Sequence, residues 1–212
     1  MKHQEHIIAV ISEKFNKLSE TMNKKIIKIS ELKDKNIILN KDVIIAQREM
    51  LETNEAFRQI IPYIAIKTKK DEYLTYTRTK SGNEKRLHKK VSIGFGGHID
   101  ANDAVFDDKS IINIKETIKL ATTREIIEEL GIDFYQKIKK SLNNIDIQKV
   151  IIDDKSDVEK VHIGLLITIT IEGKKFDIES PESQIEINGF LKKEDIYKLD
   201  GDIEPWSKLT LE

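Results

Sequence analysis

Cysteine is absent from the 212 residues. Disulfides, thiolate metal sites and cysteine nucleophiles are therefore excluded. An excess of one charge is absent too: 36 Lys and Arg stand against 37 Asp and Glu, for a net charge of −1. Nothing in that balance draws the chain as a whole toward nucleic acid or an anionic membrane. No apolar run approaches the ~18 residues of a membrane span, and the N-terminus has no charged-then-apolar leader pattern. A soluble, cytoplasmic protein with no membrane partner and no clear nucleic-acid surface is the resulting expectation. Internal repeats and low-complexity linkers are also missing.

What is present is 39% hydrophobic and 34% charged residue, enough for a core beneath a heavily charged surface. Ile7, Ile11, Phe15, Leu18, Met22 and Ile26 recur at three- and four-residue steps, the period of an amphipathic helix. Residues 1–35 are accordingly expected to form a helical extension. Its apolar stripe would pack on the body or on a second copy of the chain, as in a homodimer. A main domain is expected over 36–212. Strands are expected at Ile37–Ala46, Ile60–Lys67, Tyr73–Thr79 and Leu87–Ile93, with a turn at Ser81-Gly82-Asn83. Ile145–Ile152, Val161–Ile171 and Ile185–Leu191 follow, and Lys192–Leu199 reads as a short helix. Val161–Ile171 is the most continuously apolar of these and suits a buried central position. Strands with one strong helix between them predict an α/β fold, a mixed β-sheet with helices on its faces.

That helix is expected from about Thr117, a plausible N-cap, to Leu130, with Gly131 as its stop. At roughly 100° per residue, Glu125, Glu128 and Glu129 share one arc, and Leu120, Ile126, Ile127 and Leu130 the opposite one. Carboxylates at i, i+3 and i+4 repel by a few tenths of a kcal/mol per pair. A hard cation such as Mg²⁺ would turn that cost into a gain. A surface helix also shows acidic residues on its wet side with no ligand involved, so spacing alone leaves both readings open. Upstream, Ile93-Gly94-Phe95-Gly96-Gly97-His98 is a glycine turn that lets backbone approach a ligand. Arg78, Lys80, Lys85, Arg86, His88, Lys89 and Lys90 form a basic stretch that suits either phosphate contacts or a solvated hairpin.

Glu116, seven further residues, and then Arg124-Glu125-Ile126-Ile127-Glu128-Glu129-Leu130-Gly131-Ile132 resemble the Nudix hydrolase signature, G-x5-E-x7-R-E-U-x-E-E-x-G-U with U aliphatic. The opening glycine departs from the pattern: Ser110 stands at its position. Gly96-Gly97 look like the family's glycine pair, displaced by an insertion of about thirteen residues within 99–113. The resemblance covers about residues 36–205. It implies an α/β/α sandwich and a Mg²⁺- or Mn²⁺-dependent pyrophosphohydrolase acting on a phosphate-containing small molecule, such as a nucleoside diphosphate linked to another group. It implies metal binding by Glu125, Glu128 and Glu129, with Gly97 beside the metal. Arg124 is implied to hold the catalytic loop and Glu116 to support it. Glu186, with Glu182 as second choice, stands where the family often places a base. Arg78, Arg86 and His98 are candidate substrate contacts. A nucleotide-sensing module without catalysis is the alternative. A prenyl-diphosphate isomerase of related fold ranks last, because that chemistry wants a cysteine.

Overall fold

The structure, a computed structural model, describes residues 5–32, 38, 40–79, 89–143, 145–172 and 178–212. The predicted turn at 81–83, with Lys80, Lys85, Arg86 and His88, lies outside the described residues. Two compact units emerge: residues 1–62, 97–122 and 147–166, and residues 63–96, 123–146 and 167–212.

The first unit opens with strand β1 (His6–Ile11), then helix α1 (Ser12–Met22) and strand β2 (Ile26–Lys28). This corrects the expected helix from residue 7. Ile7, Ile8, Ala9 and Val10 are fully buried. That run is almost all β-branched, and such side chains suit a strand buried on both faces. The helix begins only where Ser12 follows, and it buries Phe15. Strand β3 (Val43–Gln47) and the start of strand β4 (Phe57–Thr68) both pair with β1, antiparallel. A one-turn helix, α2 (Arg48–Leu51), follows β3 and supplies Leu51 to a small core with Ile7 and Ala9. Of the apolar stripe, Ile7 and Phe15 are buried in this unit, Leu18, Met22 and Ile26 are half-buried and Ile11 is exposed. Strand β8 (Lys149–Ile151) pairs with β2 and with the first half of strand β9 (His162–Ile171).

In the second unit strand β5 (Tyr73–Arg78) pairs with β4, with the short strand β6 (Val91–Ser92) and with strand β10 (Ile185–Leu191). Strand β7 (Gly94–Phe95) pairs with β4. These ladders are antiparallel, and Val91 adds a parallel bridge to Ile203. Val91, Ile93, Ile196, Ile203 and Leu211 form one core cluster, which seats the one-turn helix α6 (Lys193–Ile196) and the closing helix α7 (Pro205–Leu211). Trp206 packs edge-on against Tyr63 at 5.6 Å between ring centroids.

The helix bearing the acidic set is α3 (Ile114–Leu130). It starts three residues before the expected cap. Asn113 Oδ1 accepts the Glu116 N–H at 3.3 Å, the capping role. Thr117 is buried instead, and its hydroxyl accepts the Val105 N–H at 3.0 Å. Residues 99–113, the stretch read as an insertion, lie in the first unit. Ala101–Asp103 make a 3₁₀ turn with a capping box from Asp100, and Phe106 bridges back to Ile112. Gly131, at φ 83°, ends α3, but a second helix, α4 (Ile132–Ile138), follows at once and buries Phe134 and Ile138. Sequence reading does not anticipate α4.

Candidate active site

The acidic side of α3 is not its wet side. Glu125 and Glu129 are each only 7% exposed, beside the fully buried Ile126 and the nearly buried Leu130. Glu128 is exposed, and so is Leu120, at 49%, which the helical arc had placed on the covered side. Burying two carboxylates one turn apart costs far more than a wet face would, because charge loses its hydration.

Three contacts hold them. The Gly96 N–H donates to Glu129 Oε2 at 3.0 Å. Gly96 has φ 129°, a conformation that costs glycine little, so the turn aims its amide at the helix. The Ser180 hydroxyl donates to the Glu129 carbonyl at 2.6 Å, tying in the loop before β10. Arg124 Nη1 donates to Glu125 Oε1 and to Glu128 Oε2, both at 2.8 Å. Arg124 therefore neutralises Glu125 and Glu128, while Glu129 relies on the backbone and on more distant charge.

Electrostatics follow that arrangement. Burial, then the neighbouring Glu125, push the Glu129 carboxyl well above its ordinary range; Arg78 and the Gly96 amide oppose them. Glu182 is also raised, by burial and by Glu128, with Arg78 again opposing. Arg78 is anchored: its Nε–H donates to Glu204 Oε1 at 2.7 Å, and its guanidinium lies over the Tyr76 ring at 5.5 Å. The second unit therefore brings together Gly96, Arg124, Glu125, Glu128, Glu129, Arg78 and Glu182.

Glu186 is exposed on β10, opposite Thr77. Side chains alternate along a strand, so Glu186 shares the Thr77 face and not the face of Arg78 and Tyr76. Glu182, the second choice, is the carboxylate that feels Glu128 and Glu129. Glu116 is exposed in the first turn of α3. Gly97, expected beside the metal, directly follows Gly96, whose N–H makes the bond to Glu129. His98 sits in the first unit, where its Nε2 lies 3.1 Å from His162 Nε2. His162 Nδ1 is 2.6 Å from the Val158 carbonyl. A ring nitrogen facing a carbonyl must carry the proton, so His162 Nε2 accepts and His98 Nε2–H donates in the neutral pair. Arg86 lies outside the described residues. Glu204 was not foreseen: 126 residues separate it from Arg78, and no local pattern links them.

Glu125 and Glu129 offer buried hard oxygen donors of the kind that suit Mg²⁺. Among the described residues no three His, Asp or Glu side chains converge as a formed metal cluster. The donor set fits a hard divalent ion held by this pair with water completing its shell, with Arg124 bonded to one oxygen each of Glu125 and Glu128.

No protein-family model matches the chain. The fold has a counterpart among solved structures. It superposes on the crystal structure of Tm1382, a proposed Nudix hydrolase, with a TM-score of 0.66 over 98% of this chain and 96% of that one, at 22% identity. The MutT protein from Methanosarcina mazei Go1 is a more distant likeness, at TM-score 0.43 and 20% identity over 73% of this chain and 89% of that one. By sequence the chain belongs to the same family as protein YmaB of Bacillus subtilis (strain 168). The two are 35% identical over 178 residues, 79% of this chain and 78% of YmaB. Among the described residues no helix is long and apolar enough to cross a membrane.

Proposed function

We propose that this protein is a divalent-metal-dependent pyrophosphohydrolase. It cleaves a diphosphate linkage in a small molecule, with nucleoside-diphosphate-linked compounds as the first class to test. One observation carries the reading: Glu125 and Glu129 are both buried on α3, and the glycine turn holds the carboxylate of Glu129 from the other side. Two buried like charges on one helical turn are a standing cost. A cation binding there would offset it.

Glu125 and Glu129 would hold Mg²⁺ or Mn²⁺, with Glu128 as a third donor when Arg124 releases it. The metal, when bound, would neutralise diphosphate oxygens and acidify water. The chain's own residues do the rest. Arg124 orients Glu125 and Glu128 through its two hydrogen bonds. Arg78 supplies fixed positive charge for the phosphate. Glu182, its carboxyl raised by burial, is the better-placed base, because a raised carboxyl takes a proton more readily near neutral pH. Glu116 supports the start of α3, and residues 36–212 carry the activity. Phosphoryl chemistry of this kind rests mainly on positioning and charge neutralisation.

The test is a screen of nucleoside triphosphates, dinucleoside polyphosphates, nucleotide sugars and NAD-type compounds, with and without Mg²⁺. Metal-dependent release of a phosphate-containing product is expected, lost in Glu129→Gln. Turnover that persists in folded Glu125→Gln and Glu129→Gln variants would overturn the assignment. So would tight nucleotide binding without cleavage, the behaviour of a sensing module.

A further inference from the structure

Arg78 is held from a part of the chain that the Nudix signature does not include. The segment before α7 runs back along β6: the Val91 N–H donates to the Asp202 carbonyl and the Glu204 N–H to the Val91 carbonyl, both at 2.9 Å. Ile203, between them, is buried in the core cluster. Pro205 occupies the first turn of α7, where its missing N–H costs nothing and its ring fixes the entry angle. Glu204 is thus clamped on both sides, and its side chain is 11% exposed. The carboxylate takes the Arg78 Nε–H at 2.7 Å.

The geometry of a guanidinium gives this contact a direction. Its donors lie in one rigid plane. Fixing the Nε–H on Glu204, with the plane resting on Tyr76, fixes where the Nη edge points. Arg78 is bonded to the Glu204 carboxylate, and its positive charge is felt by Glu129 and by Glu182. An unanchored arginine would sample many rotamers and lose side-chain entropy on meeting a ligand. A buried carboxylate partner removes that loss in advance.

We infer that Glu204 is a positioning residue: it holds Arg78 in place as the cationic contact for the diphosphate group. The inference rests on the reading of the site as a diphosphate site. The ligand class is any molecule that presents a diphosphate, because a planar fork matches paired phosphate oxygens whatever group they carry.

The probe is inorganic pyrophosphate with Mg²⁺, measured by calorimetry on the full chain. Arg78→Ala is expected to weaken binding about tenfold or more, the scale of one charge-assisted contact. Glu204→Gln keeps an acceptor for the Nε–H but loses the charge, and is expected to weaken binding several-fold. The double variant Arg78→Ala/Glu204→Gln should bind no worse than Arg78→Ala, because Glu204 acts only through Arg78. Wild-type affinity in a folded Glu204→Gln variant overturns the inference, as do two losses that multiply in the double variant. A wild-type chain that binds no pyrophosphate overturns it too. Should Glu204→Gln fail to fold, NMR of the wild-type Arg78 Nε–H decides: slow solvent exchange, kept when pyrophosphate is added, is expected, and exchange at the rate of a free arginine overturns the inference. Pyrophosphate binding that depends on Arg78 and Glu204, in a protein that cleaves nothing in the substrate screen, would remove the hydrolase reading and leave this one standing.

Discussion

Residues 7–26 and residues 114–130 carry the same kind of signal, apolar positions recurring at helical steps, and they fold differently. The first becomes a buried strand and then a helix. The second becomes one seventeen-residue helix. In the first stretch the run Ile7-Ile8-Ala9-Val10 leaves no polar side to expose, and all four are fully buried. Periodicity sampled every third or fourth residue is blind to what lies between. In the second stretch the period is right and Ile126 and Leu130 are covered as expected, but Leu120 is exposed and Glu125 and Glu129 are covered as well. Hydrophobic pattern thus misnames the element in the first stretch and part of the covered surface in the second. Where it fails on α3, the failure marks the candidate site. A carboxylate that is buried against expectation needs a physical reason.

The sharpest way to break that comparison is to remove the buried carboxylates. Glu129→Gln and Glu125→Gln are each predicted to lower Mg²⁺-dependent kcat by about a hundredfold or more, the scale set by losing a charge aimed at the reacting group. Glu186→Gln, altered on the opposite strand face, is predicted to change kcat less than about threefold. Steady-state kinetics on the best substrate from the screen measure all three. Equal losses at Glu186 and Glu129 would erase the distinction between buried and exposed carboxylates.

Next in size is the core of the N-terminal stretch. Phe15 is fully buried in α1, so Phe15→Ala is predicted to destabilise the fold by about 3–5 kcal/mol. A helix that merely docked as a separable extension would show a much smaller loss in urea unfolding. The experiment thereby tests whether residues 5–28 belong to the cooperative unit.

Much of the architecture is legible from sequence because it depends on local pattern. β5, β9 and β10 form within a residue or two of where alternation and apolar runs place them. The signature from Arg124 to Ile132 identifies the helix, because its offsets are fixed by one helical turn. Long-range pairings are not legible. Gly96 reaches Glu129 across the insertion, Ser180 reaches the Glu129 carbonyl, and Glu204 reaches Arg78. Each depends on strand pairings that no local window reports. Asn113 displaces Thr117 as the cap because two polar residues compete for the same role, and Thr117 is drawn inward to hold the Val105 amide. Gly131 reads as a stop and is one, yet the chain restarts a helix immediately, since a positive-φ residue ends one hydrogen-bonded run without forbidding the next.

A smaller effect concerns stability and pH. The Glu129 carboxyl is raised above its ordinary value of 4.5, chiefly by burial. Ionising such a group costs the folded state more than the unfolded one. The cost is absent below the unfolded value, grows as pH rises through the interval up to the folded value, and stays constant above it. Metal-free wild type is therefore predicted to be less stable at pH 7 than Glu129→Gln, by on the order of 1 kcal/mol. The two should converge as pH falls toward 4.5. Added Mg²⁺ should raise the Tm of wild type and leave Glu129→Gln nearly unmoved, because only a ligand of the folded state shifts its equilibrium. Thermal unfolding with EDTA and with Mg²⁺ reads both effects.

The smallest predicted effect is at Leu120, and it sharpens the comparison most directly. Helical geometry puts Leu120 on the arc opposite the three glutamates, where an amphipathic surface helix would bury it. It is 49% exposed instead. Leu120→Lys therefore removes little packing and adds a solvated charge, so the unfolding free energy should change by less than about 0.5 kcal/mol. At a covered position the same change would leave a lysine in the core at a cost of several kcal/mol. Ile126→Lys, at a fully buried position on the same helix, supplies the contrast, with loss of folding expected. Urea titration of the pair therefore reads which positions of the apolar arc are covered without reference to activity. A large loss at Leu120 would mean that Leu120 is covered as Ile126 is.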